Sequence, residues 1–129
     1  MTPSETVLLT EYVRACCPQQ AFGEYTSDAW YDLLGDLPLA DCKAAVAEVA
    51  KRQPFVAASD IRTEVRRVRN ARIDQADIPA PPPELTGDMA AYSRALHAAR
   101  VAAADGRDPE AALQVVTDRT RREIEAPRD

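Results

Sequence analysis

Apolar residues in this chain recur mainly at helical spacing. The clearest stretch is 54–73, PFVAASDIRTEVRRVRNARI. It opens with Phe55 and Val56 and turns at Ala57, Ala58 and Ser59. A helix then carries Ile61, Val65 and Val68 on one face at i, i+4 and i+7. Arg62, Arg66 and Arg69 form a second stripe one position along, and Arg67 and Arg72 add to the charge. One side suits a core, while the other offers guanidinium groups to solvent or a partner.

The preceding residues read as the rest of that core. Thr2, Pro3, Ser4 and Glu5 form a capping box with proline at the first helical position, starting a helix that runs to about Cys16. Its apolar residues are Leu8, Leu9, Tyr12, Val13, Ala15 and Cys16. Pro18 cannot continue it, and a loop with Phe22 and Gly23 follows. Thr26 is the expected N-cap of a short second helix that buries Trp30, Leu33 and Leu34 and stops at Gly35. A third helix, about 39–52, places Leu39, Cys42, Val46 and Val49 on one face. No segment of residues 1–73 alternates apolar and polar positions over strand length. The expected fold is all-α: a compact bundle of about four short helices as a scaffold domain over 1–76, centred on Trp30.

Residues 77–84, DIPAPPPE, read as a Pro-rich linker with polyproline II character, a semi-rigid spacer. Two more helical patterns fill an arm over 85–129. Met89, Tyr92, Leu96 and Ala99 recur in the first, which Gly106 stops. Asp108, Pro109 and Glu110 start the second, whose stripe is Leu113, Val116, Thr120 and Ile124. A hairpin of such low hydrophobicity is expected to be loosely packed, or ordered by a partner.

Charge changes the picture at one place. The chain carries −5 overall, which argues against a general nucleic-acid coat. Residues 59–73, however, hold five arginines against two carboxylates, or +3. As a solvated face this helix would pair with Asp60 and Glu64. As a contact surface it would meet phosphates or an acidic protein patch.

Candidate chemistry is sparse. Cys16, Cys17 and Cys42 are odd in number and two are adjacent, so they suggest small core residues rather than a disulfide framework. One histidine, His97, and the lack of a CxxC pair argue against zinc. None of the four glycines sits in a phosphate-binding loop motif. Asp32, Asp36 and Asp41 read as helix-end and turn residues. The expectation is a protein that is not an enzyme, with no catalytic residues, no metal site and no cofactor. There is no signal-peptide pattern and no apolar run of membrane-spanning length, so the expected location is cytoplasmic.

The order of residues 6–73 resembles the phage replicative-helicase loader and inhibitor family, of actinobacterial phage or prophage type. The resemblance is carried by Tyr12, Phe22, Thr26 and the run Ala29, Trp30, Tyr31, Asp32, Leu33, Leu34. It continues through Ala44, Ala45 and Val46, then Pro54, Phe55 and Val56 leading into Ser59, Asp60, Ile61 and Arg62. It implies a helical N-terminal scaffold and a C-terminal part that engages the helicase. The implied partners are a hexameric replicative helicase, of phage or host, and an origin-binding protein. The implied action is stoichiometric: binding energy favours one ring state, for loading or inhibition. Arg62, Arg66, Arg67 and Arg69 are the expected contact surface, with Tyr92, Leu96, Leu113 and Val116 as a second that orders on binding. The alternatives are a small helix-turn-helix-like DNA-binding regulator, reading DNA with the basic helix, and a phage structural or adaptor protein that self-assembles through the hairpin.

Overall fold

The computed structural model of the protein describes residues 1–125; the end of the expected 85–129 arm lies outside the described residues. The fold is all-α. Among the described residues six α-helices succeed one another: α1 (Pro3–Cys16), α2 (Thr26–Leu34), α3 (Leu39–Ala50), α4 (Ala58–Gln75), α5 (Met89–Ala104) and α6 (Pro109–Glu125). The chain divides into two compact units, Met1–Arg67 and Val68–Asp129. The division falls inside α4, not at the Pro-rich segment that the sequence suggests as the boundary.

In the first unit α1 packs on both α2 and α3. The capping box forms as its residues dictate: the Thr2 hydroxyl accepts from the Glu5 amide at 3.1 Å, and the Glu5 carboxylate accepts from the Thr2 amide at 2.8 Å. Leu9 and Val13 of α1 meet Trp30 and Leu34 of α2, Cys42, Val46 and Val49 of α3, and Ile61 and Val65 of α4 in one core. Phe22 meets Trp30 edge-on, with centroids 5.7 Å apart. Two expectations are corrected here. Leu33 is 54% exposed, not buried, because α2 turns only Trp30 and Leu34 inward. Thr26 is the first helical residue rather than the cap; its hydroxyl accepts from the Gly23 amide at 2.8 Å and fixes the preceding loop. Gly35 does close α2, for a steric reason. A Cβ there would lie 2.6 Å from the Tyr31 carbonyl oxygen.

The α3–α4 connection is held by side chains that periodicity does not mark. Gln20 donates to the Val56 carbonyl and accepts from the Val56 amide, both at 2.7 Å, as a strand partner would. Val56 is thereby buried while Phe55 stays 54% exposed. Asp60, in the first turn of α4, reaches back to the Ala57 amide at 3.0 Å, the acidic half of a capping box.

The second unit is built on small residues. Ala91, Ala95, Ala99 and Ala102 of α5 are fully buried, and α5 packs along α6. On α6, Leu113, Thr117 and Thr120 are buried, and the two threonine hydroxyls donate to carbonyls one turn back at 2.9 and 3.0 Å. The segment expected to be a linker is part of this core. Leu85 is buried among the alanines, Ile78 packs on them, and Pro81 is buried. Only Pro83–Leu85 forms a 3-10 turn. Glu84 pairs with Arg121 of α6. Gly106 adopts φ +75°, and its amide and that of Arg107 return to Ala103 and Ala102 at 3.0 and 2.7 Å. This is a Schellman closure.

Candidate partner-binding surface

The candidate surface is the polar side of α4. The helix buries Ile61 and Val65, and Val68 is half-buried, so the stripe one position along faces outward. The four arginines expected to act together there have different environments.

Arg62 is a structural residue. Its Nη2 donates to the Leu33 carbonyl at 2.7 Å, in the last turn of α2, and its guanidinium pairs with Asp36. It thus satisfies an orphan carbonyl at a helix C-terminus. The separate hydrogen bond from the Arg62 guanidinium to Asp36 holds that carboxyl below its ordinary value. Arg67 donates to Glu64, one turn back, at 2.7 Å. Arg69, in the second unit, pairs with Asp105 at 2.7 Å and is only 21% exposed at its side chain. Arg66 alone of the four makes no ion pair among the described residues, and it is exposed. The solvent-facing charge is therefore Arg66 with Arg67 beside it, not a continuous ridge.

The carboxylates that meet these arginines are the less legible half of the site. Glu64 is only 5% exposed, yet it is ionised and satisfied, with Arg67 at 2.7 Å and Arg52 of the α3–α4 connection at 3.7 Å. The Arg67 hydrogen bond outweighs burial and keeps its carboxyl below the ordinary range. At Asp105, burial pushes the carboxyl up, but hydrogen bonds from Arg107 and Arg69 outweigh it and hold the group low. The sequence signal for Glu64 was its place three residues before Arg67, a spacing that brings helical side chains together. Asp105 carried no comparable signal, because its pairing with Arg69 is long-range.

The second expected contact set is largely interior. Leu113 is in the core, Tyr92 and Val116 pack against it, and Leu96 is half-buried. The exposed apolar side chains of α5 and α6 are instead Met89, Val101, Val115 and Ile124. Met89 and Ile124 belong to the stripes expected to be apolar faces yet are exposed at the helix ends, while Val101 and Val115 lie off those stripes.

The remaining titratable groups are dispersed. Asp36 meets Arg62, Asp32 lines a shallow groove of about 360 Å³ between α1 and α2, and Asp41 lies in the first turn of α3. Cys42 is fully buried, and desolvation raises its thiol to about 11. Among the described residues no three His, Cys, Asp or Glu side chains are grouped to hold a metal ion, and no helix is long and apolar enough to cross a membrane. Comparison with protein families, curated proteins and solved structures returns no match in any of the three.

Proposed function

We propose that this chain is a non-catalytic, cytoplasmic accessory protein of phage or prophage replication that binds a hexameric replicative helicase and either readies it for loading or inhibits it. An origin-binding protein would receive the loaded ring. The observation that carries this reading is the state of Arg66: an exposed guanidinium on a well-anchored helix, without an ion pair among the described residues and flanked by Arg67. A rigid helix presenting such a charge is suited to an acidic patch on a protein. The order of the resembling residues, from Tyr12 through Trp30 to Arg62, gives the helicase as the partner.

The helix-turn-helix alternative draws less support. The α3–α4 connection spans 51–57, longer than the ~3–4-residue turn of that motif, and three of the four expected arginines are engaged by carboxylates. The adaptor alternative requires self-association, which a mass measurement on the isolated protein reads directly.

Arg66→Glu in the full-length chain tests the surface. Helicase binding should weaken severalfold while the melting temperature stays unchanged. Arg62→Glu should instead lower the melting temperature, because it removes the cap on α2 and repels Asp36. Unchanged affinity in the Arg66 variant would remove this face from the reading.

A further inference from the structure

The outer face of the α5–α6 hairpin has features that the α4 surface does not explain. A groove of about 410 Å³ runs between the two helices, lined by His97, Ala98 and Val101 on one side and by Ala112 and Val115 on the other, with Arg107 at the end near the turn. Val101 and Val115 are 36% and 57% exposed. The opposite faces of the same helices are sealed by the alanine seam, so these valines are not spare core residues.

Charges of both signs surround the groove, and two arginines at the end away from the turn are without ion pairs among the described residues. The short connection after Ala104 makes α5 and α6 antiparallel neighbours. One turn from Ala98 and one turn from Val115 therefore lie at the same level, and those positions are Arg94 and Arg119. Both are exposed, and neither makes an ion pair among the described residues. At the other end Arg107 pairs with Asp105 at 3.0 Å. The acidic side chains nearby are Asp108, one turn before Ala112, Asp118, one turn after Val115, and Glu123, one turn beyond Arg119.

We propose that this groove is a docking site for an acidic amphipathic segment of a partner protein. Apolar side chains of that segment seat between Val101 and Val115, and a carboxylate spans Arg94 and Arg119. Charge complementarity selects this occupant. A basic segment or nucleic acid lacks either the sign or the apolar surface that the valines require. The proposal stands whether or not the partner is a ring helicase, since it specifies the chemistry of a binding segment and no named protein.

The test is a display selection of random helical peptides against the purified full-length chain. Enriched peptides should carry Leu, Ile or Phe at i, i+3 or i+4 and i+7, flanked by Asp or Glu. Their affinity should fall at least about tenfold for Val115→Asp, an exposed position whose replacement leaves the melt unchanged. Arg119→Glu should also weaken binding and flatten its salt dependence. The proposal is overturned if no peptide is enriched, if the enriched peptides are basic, or if Val115→Asp binds them as well as the parent does. It is equally overturned if the isolated chain forms a dimer that Val115→Asp dissolves, since the occupant is then a second copy. Loss of helicase binding in the Arg66 variant bears on the α4 reading alone, so the two can fail separately.

Discussion

Single residues separate structural charges from available ones. Glu64 is a buried carboxylate held by Arg67 and Arg52, and its folded-state value lies below the ordinary 4.5. The stability it supplies is therefore complete above pH 4.5 and is lost as pH falls through the lower folded value. Denaturant melts of the parent and of Glu64→Gln should differ by a constant amount from neutral pH down to that point, then converge in more acid solution. A gap that widens on acidification would refute the pairing. Trp30 works through size. It is 8% exposed and meets Phe22 edge to face, so Trp30→Ala should cost ~3–5 kcal/mol. That is a large part of a small unit's stability. A thermal melt within a few degrees of the parent would show that this core is not organised around the indole.

At the scale of elements, legibility in the sequence followed the range of the interaction. Helix starts and stops were readable where the signal is local: the Thr2 and Glu5 box, the Gly35 stop and the Gly106 closure all act within one turn. Local signals misplaced the Thr26 cap and the burial of Leu33 in α2, and what escaped altogether was non-local or built from weakly hydrophobic residues. Gln20 reaches Val56, and Arg62 reaches Leu33, across distances no periodicity encodes. The α5–α6 seam was hidden for a different reason. Alanine scores low on hydrophobicity, yet a column of buried alanines lets two backbones approach closely and gain dispersion contacts. The larger Tyr92 and Leu96, expected as contact residues, are half-buried beside that seam. The same bias made the proline segment look like a spacer, when Leu85 and Ile78 anchor it. Two substitutions check the hairpin. Ala99→Leu should overpack it by ~1–3 kcal/mol, and Gly106→Ala should cost ~1–2 kcal/mol for a left-handed residue with a Cβ. Neutral outcomes at both, read by chemical denaturation, would mean that the two helices are not packed as described.

For the whole molecule, the described residues form an all-α fold of two compact units. Each unit presents its own exposed feature: Arg66 and Arg67 on α4 in the first, and the valine groove between α5 and α6 in the second. Under the proposed function, one of these faces would meet the ring and the other a second factor. Sedimentation velocity on the purified full-length chain mixed with the purified hexameric replicative helicase of its host is the most direct examination of the helicase reading. The expected outcome is a single faster boundary containing both proteins, saturating at a fixed stoichiometry per ring. Two independent boundaries that persist at micromolar concentrations, with and without nucleotide, would overturn it.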